Sequence, residues 1–400
     1  MKIAVLLPND YDRTTVLKAR ALVKATLRAR PLGGARLRVV VGLPQGDETA
    51  WRRNEAEFKA VGREVTVRHL LWESVAADNA DRMFSDFRRP YVLHGLERVV
   101  LPRDWGTNFT DCDYWFSLAH PGQGALYALR PTAHFCGDLD MRRHPGAFAK
   151  SIDAPFWREQ EKAFSLWRSG GVVVTSGAAN AADVTAYAGV HPDSVIQIPS
   201  LFDPPPSLDT TEAERLPRRL LWLVEPNMAY DLEAAAEGLR IYRAEGGQLE
   251  PLILCETMPQ AFGKGSNVMD VVALSGLTRS FLAKLPIEQL ISTPVFRRLC
   301  TRSSFLWSSR LVGGEGLAAR EALAYGLHVL TPRANATQDV AANGALHFYE
   351  AGNAENIENA LCDLEALIGK PPPATANEAP DVASVHIGFV LDRLMELVDG

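Results

Sequence analysis

Apolar and polar positions alternate between two periods along almost the whole chain. Short unbroken apolar runs, "KIAVLLP" at the start, "RLRVVVG" (Arg36–Gly42), "EVTVRHLL", "DYWFSLAH", "TAHFC", "GVVVTS" (Gly171–Ser176) and "SVIQIPS" (Ser194–Ser200), read as strands buried on both faces. Between them lie stretches with helical spacing: Thr14–Ala29 with Leu17, Ala21 and Val23, then Trp51–Ala60, Ala154–Trp167 and Ala178–Ala188. This alternation predicts parallel sheets covered by helices.

The rhythm breaks at 201–218, "LFDPPPSLDTTEAERLPR", where three consecutive prolines and a polar tail predict an interdomain linker. It then restarts. "RLLWLV", "PLILC", "VMDVVAL", "SSFLWSS" and "LHVLTP" read as strands, and Asp231–Glu245, Pro286–Cys300 and Ala354–Ile368 as helices. A second proline-rich break, "GKPPPATANEAP", precedes a last amphipathic helix, Asp381–Leu397. The pattern therefore predicts an α/β chain with an N-terminal domain over 1–200, a linker over 201–218, a C-terminal domain over 219–368 and a detached helix within 381–400.

Composition supports this division. The 400 residues exceed one typical core. Residues 1–200 hold 26 basic and 22 acidic residues, and the remainder 16 and 26. That asymmetry fits two separate domains. It does not suggest nucleic-acid binding, because no stripe of base-stacking aromatics accompanies the basic half. No apolar run approaches the roughly 20 residues of a bilayer span. "MKIAVLLPNDYDR" reads as a first strand rather than a signal peptide, so a cytoplasmic chain is the expectation. The five cysteines are scattered without a C-x-x-C pair, which argues against a structural zinc site and a disulfide framework.

Candidate chemistry concentrates in "LVGGEGLAAREALAYG" (Leu311–Gly326). Gly313, Gly314 and Gly316 leave the main chain bare at a helix start, where unpaired N–H groups and the helix dipole suit a phosphate. Glu321 follows on the helix, where a carboxylate can accept two hydroxyl hydrogen bonds, as from a ribose. Phosphate plus ribose suggests a nucleotide; the plain alternative is a glycine-rich strand–helix turn with a solvated Glu.

These residues resemble the donor-site motif of family-4 glycosyltransferases, enzymes of the GT-B fold: Gly314, Gly316, Leu317, Glu321, Ala322, Ala324, Gly326 and Val329 match in register. "TPRANATQDVAANGALHFYEAGNAENIENAL", "VVVTSGAANAADVTAYAGVHPDSVIQIPSLFD" and "CGDLDMRRHPG" resemble further family segments in the same order, over about residues 110–368. The resemblance implies two Rossmann-like domains facing each other across a cleft, with the final helix crossing back to the first. It implies transfer of a sugar from a nucleotide-sugar donor to a glycan, lipid-linked sugar or protein acceptor, with retention, in bacterial-type surface polysaccharide or glycoconjugate synthesis. It implies Glu321 at the ribose, and Gly313, Gly314, Gly316 and Leu317 beside the phosphates and sugar. No cofactor or metal is expected; "DLD" (Asp138–Asp140) is a lone Asp-x-Asp of another fold, and His134 and His144 are not spaced to join it.

Two departures stand out. Gly313 occupies the position of the family's sugar-facing glutamate, leaving Glu315 as the nearby acid. The Arg/Lys pair that neutralises the diphosphate is missing from "LVEPNMAYDLEAA", where Glu225 stands instead; Arg310, Lys264 or Arg279 are the candidate replacements. In the N-terminal half, His120 after "DYWFSLA" lies at a strand end that faces a ligand in open α/β sheets, and the resemblance implies a His near here beside the donor sugar. The resemblance also implies a cleft role for Asp138, with Gly137 at the family's His position. The plain alternatives are a surface-loop histidine and a helix-cap or turn aspartate. The departures keep one alternative open, a catalytically degenerate GT-B protein acting as a binding or assembly partner. A dinucleotide-dependent oxidoreductase is disfavoured, because no G-x-G-x-x-G follows the first strand. Finally, Lys18, Arg20, Lys24, Arg28 and Arg30 share a helix with Leu17, Leu22 and Leu27, a pattern that can touch anionic lipid peripherally at the inner membrane face.

Overall fold

The computed structural model describes residues 1–9, 11, 13–31, 34–84, 96–118, 124–143, 145, 154–203, 215–224, 231–255, 275–289, 293–311, 316–333, 344–373 and 380–399. The chain divides into two compact units. One takes Met1–Leu139, Ile152–Asp203 and Glu378–Gly400, and the other Asp140–Ser151 and Pro204–Asn377.

The first unit is built on a parallel sheet. Its strands are β1 (Lys2–Leu6), β2 (Arg38–Pro44), β3 (Val65–Leu70), β6 (Tyr114–Ser117), β7 (Thr132–Cys136), β8 (Val172–Ser176) and β9 (Val195–Ile198). Among the described residues their order is β3-β2-β1-β6-β7-β8-β9. Apolar runs suit it because helices and a hairpin cover its faces: Ile3, Val39, Val41 and Val174 lie in one core, and Ala4, Leu6, Val40 and Trp115 in another. The helices along this part of the chain are α1 (Arg13–Arg28), α2 (Glu48–Lys59), α3 (Ala77–Met83), α4 (Asp140–Arg143, which groups with the second unit), α5 (Ala154–Arg168) and α6 (Gly177–Asp183). Asp47 caps α2 by accepting the Ala50 N–H at 2.8 Å.

The second unit holds β10 (Leu216–Leu223), β11 (Glu250–Cys255), β12 (Ile287–Gln289), β13 (Ser303–Ser308), β14 (His328–Pro332) and β15 (Leu346–Tyr349), again parallel, in the order β12-β11-β10-β13-β14-β15. Its helices are α7 (Leu232–Ala244), α8 (Gly276–Leu282), α9 (Thr293–Thr301), α10 (Leu317–Ala324) and α11 (Ala354–Glu365). The last helix, α12 (Pro380–Asp399), returns to the first unit. There Ile387, Val390, Leu391 and Leu394 are buried in the core that α1 also lines.

Three sequence expectations change. The stretch Pro286–Cys300 is not one helix. Ile287–Gln289 pairs with β11 as an edge strand, and α9 starts afresh at Thr293 with Pro294 in its first turn. A hairpin unforeseen in the sequence, β4 (Trp72–Ala76) against β5 (Arg98–Pro102), sits between β3 and β6. The helix expected over Ala178–Ala188 widens to a π-turn at Val184–Ala188 and stops at left-handed Gly189. The apolar side of α1 is committed to the core: Leu17 and Leu22 are buried, Arg20 pairs with Glu57 at 3.0 Å and Lys24 with Asp203 at 2.5 Å. The expected strand "VMDVVAL" lies outside the described residues.

No helix among the described residues is long and apolar enough to cross a membrane. No group of three or more His, Cys, Asp and Glu among them could hold a metal ion.

One glycine in the second unit sets a helix spacing. A Cβ on Gly238 of α7 would meet the Ala354 carbonyl oxygen and the Ile357 Cβ of α11 at 2.8 Å each. Gly238→Ala is therefore expected to push the two helices apart. The overpacking outweighs the roughly 1 kcal/mol gained in helix propensity and leaves a net loss of about 2 kcal/mol. A thermal melt should show the midpoint of this unit lowered by roughly 4–8 °C; an unchanged midpoint would mean that the contact is slack.

Candidate nucleotide-sugar site

In chain order the second sheet reads 3-2-1-4-5-6, so its direction of winding reverses between β10 and β13. Ligands of open α/β sheets sit at the carboxyl ends of the strands beside such a reversal. The segment singled out in the sequence starts there, directly after β13.

The reversal point is rigid. Trp222 of β10 and Trp307 of β13 are register partners whose rings stack at 4.5 Å. The Trp222 indole N–H donates to Ser309 Oγ at 3.1 Å, and the Ser309 carbonyl accepts the Asp231 N–H at 2.8 Å. Asp231 precedes α7, and its carboxylate accepts the Gly352 N–H at 2.7 Å, joining the loops after β10, β13 and β15. Burial raises the Asp231 carboxyl above its ordinary value, while the Gly352 N–H pulls the other way.

Arg310 follows Ser309 and is half-buried. Gly316 has φ 58° and ψ 27°, a left-handed conformation that costs any side chain energy and that glycine adopts freely. Its carbonyl takes the first helical bond, from Arg320 N at 2.9 Å, so α10 begins at Leu317. Leu317 and Glu321, four residues apart, share a face of α10. Both are buried, Glu321 with only 3% of its surface exposed. At the far end, Arg215 donates to the carbonyls of Tyr325 and Gly326 at 2.6 and 2.7 Å, placing a cation on the negative pole of the helix.

In the first unit the winding reverses between β1 and β6. Asp138 lies just past the carboxyl end of β7 and is half-buried. Asn180 of α6 donates to the carbonyls of Gly137 and Ser176 at 2.8 and 2.9 Å, tying the ends of β7 and β8 together. Lys18 of α1 reaches the same place: a Cβ on Gly137 would lie 3.0 Å from its Nζ.

Thus Arg310, Gly316, Leu317 and Glu321 are gathered on one strand–helix connection, and Asp138 is joined by Lys18 and Asn180. His120, Gly313, Gly314, Glu315 and Lys264 lie outside the described residues. Arg279 is exposed on α8, whose start is held by Glu233 through Ser275 and Thr278.

Solved structures of similar architecture span both units. Anabaena HepE in complex with UDP and glucose superposes with a TM-score of 0.59 at 11% identity, covering 100% of this chain and 98% of that one. Sucrose-phosphate synthase from Thermosynechococcus elongatus gives 0.56 at 12%, covering 99% and 94%. The UDP-GlcNAc 2-epimerase of Neisseria meningitidis bound to UDP-GlcNAc gives 0.51 at 11%, covering 99% and 100%.

The chain has the GT-B fold.

Identities this low carry the fold and nothing finer. No protein-family model and no curated protein matches the sequence.

Three polar residues at these strand ends escaped sequence reasoning. Asp231 lies within "LVEPNMAYDLEAA", where the sequence marks it only as the residue before a helix. Lys18 and Asn180 reach the end of β7 from helices 119 and 43 residues away in number. Only a polar residue on the first turns of α1 and α6 marked them in the sequence.

Proposed function

We propose that this chain is a glycosyltransferase that moves a sugar from a nucleotide-sugar donor to an acceptor with retention at the anomeric carbon. The observation that carries the reading is the placement of Gly316–Glu321 on the connection that leaves β13 at the winding reversal. Bare backbone, a helix N-terminus and a buried carboxylate meet there within two turns.

In this reading the start of α10 faces the diphosphate, and Glu321 accepts the ribose hydroxyls. Arg310 supplies the positive charge that the family takes from its missing basic pair. Gly313 and Gly314 leave the backbone open to the phosphates and sugar, and Glu315 supplies the acid beside the sugar. His120 and Asp138 act from the first unit. Retention then proceeds by front-face substitution: the acceptor oxygen bonds to the anomeric carbon as the bond to the diphosphate breaks, and the leaving phosphate oxygen takes the acceptor's proton. This route uses no protein nucleophile, so catalysis rests on orientation and on stabilising the departing diphosphate. The acceptor is a glycan, lipid-linked sugar or protein of surface glycoconjugate synthesis. HepE is seen with UDP and glucose and the epimerase with UDP-GlcNAc, which puts UDP-sugars first among donors to test.

A panel of nucleotide sugars, screened by thermal shift and then by donor hydrolysis in EDTA, tests this. One UDP-sugar should raise the melting temperature and be hydrolysed slowly, with free UDP and sugar as products. Gly313 and Glu225 at the family's glutamate and basic positions favour a second reading, a GT-B binding or assembly partner that no longer transfers. A thermal shift without hydrolysis or transfer would select that reading. Conversion of the donor to its 2-epimer would overturn both.

A further inference from the structure

One face of β1, β2 and β3, from Lys2 and Arg38 at the amino ends of β1 and β2 across to Arg68 on the edge strand, carries a second cluster that the proposed reaction does not use. Lys2, Ala4 and Leu6 alternate onto one face of the first sheet, as do Arg38, Val40 and Gly42, and Thr66, Arg68 and Leu70. The pairing puts Lys2 beside Arg38, Val40 beside Thr66 and Gly42 beside Arg68. Toward the carboxyl ends this face is apolar: Ala4, Leu6, Val40 and Leu70 lie in a core with Phe109 and Trp115. Toward the amino ends it is polar and open. It forms a pocket of about 320 Å³ lined by Lys2, Arg36, Arg38, Arg63 and Arg68, with Thr66 at its wall.

The charges there do not cancel. Asp111 takes both Lys2, at 2.7 Å, and Arg68, at 2.8 Å, and Glu64 takes Arg36 at 2.7 Å. Asp113 is engaged by the backbone N–H of Lys2. Arg38 and Arg63 are exposed and form no ion pair among the described residues. Arg38 lies in register beside Lys2, whose charge Asp111 already takes, so Arg38 and Arg63 are the cations that would meet an added anion. Two guanidinium groups, each with donors in a planar fork, match the oxygens of a phosphate bidentately. The volume is at the lower end of the ~300–1,000 Å³ typical of small-molecule sites, enough for a compact ligand.

We propose that this pocket binds a ligand carrying two or more phosphate groups, held by Arg38 and Arg63 with Lys2 and Arg68 behind them. It is a second anion site, at the opposite ends of the strands from Asp138. The same chemistry could come from a free phosphorylated metabolite or from clustered lipid headgroups, and the experiment separates them.

The full chain is titrated with pyrophosphate by calorimetry at low salt and, in a second arm, mixed with phosphatidylglycerol vesicles in a sedimentation assay. The wild type, R38E/R63E and R38Q/R63Q are compared, with R310Q as a control for pyrophosphate binding at the proposed donor site. Pyrophosphate binding weakened at least tenfold by both pairs of substitutions and kept by R310Q supports the site with a free ligand. Vesicle binding lost in the same variants supports it with a membrane source. Neither probe binding the wild type, or binding unchanged in both double variants, overturns the proposal. Arg38 and Arg63 are exposed, so equal melting temperatures of the variants are expected and confirm that they fold.

Discussion

Glu321→Gln is expected to raise the KM for the donor by roughly 10–100-fold while leaving kcat nearly unchanged. The reason is the number of acceptors. A carboxylate can take one hydrogen bond on each oxygen from the two hydroxyls of a ribose. The amide keeps one acceptor and turns the other into a donor, so one charge-assisted bond is lost and a donor faces a hydroxyl. Hydrogen bonds to a charged group contribute about 1.5–3 kcal/mol each, which spans the predicted range. The interaction is made equally in the ground and transition states, so the loss falls on KM. Glu321 is buried in α10, hence a thermal melt of the ligand-free variant must accompany the kinetics. A lowered melting temperature with an unaltered donor KM would make Glu321 a packing residue and remove it from the site.

The second large effect is acid sensitivity centred on His134. This residue lies in β7, fully enclosed between Trp167 and the Gly171 backbone, and its Nε2 has no hydrogen-bond partner. Burial without a partner lowers its pKa from 6.5 to about 4. The native state therefore holds fewer protons on this ring than the unfolded chain does. Stability from this source is complete above pH 6.5 and is lost as pH falls from 6.5 to about 4. The shift corresponds to about 3 kcal/mol over that window. His328 and His347, paired ring to ring at 3.2 Å in the second unit, are also lowered by burial and add to the same trend. Urea-unfolding midpoints at a series of pH values check this. His134→Leu should flatten the acid limb, whereas parallel wild-type and variant curves would show that the ring does not titrate there.

Legibility differed between the scaffold and the site. Most strands of both sheets were readable because each centres on a short apolar run, a signal carried within five to eight residues; β12 and β15 were not. The segment from Gly316 to Glu321 was readable for a related reason: a glycine before a helix and an acid one turn later are local features. Asp231 was not, because its role comes from Ser309 and Gly352, which lie 78 and 121 residues away in number. The antiparallel pair of β4 and β5 was missed because β4 is polar and half-exposed, and the buried apolar run of β5 that it pairs with begins 22 residues after β4 ends. Pro286–Cys300 misled because a three-residue edge strand takes its identity from β11 beside it, not from its own pattern.

By itself, then, the sequence determined the α/β class and the strand–helix segment that carries Glu321. Each follows from periodicity or from backbone-permissive residues acting over a few positions. The tertiary structure alone decided the strand orders and hence the winding reversal beside which that segment lies. It also decided which polar groups meet: Lys18 with Gly137, Asp231 with Gly352, and Lys2, Arg38 and Arg68 on one open sheet face. Those meetings depend on strand register and crossover, which bring side chains together from positions too far apart for any local pattern to relate them.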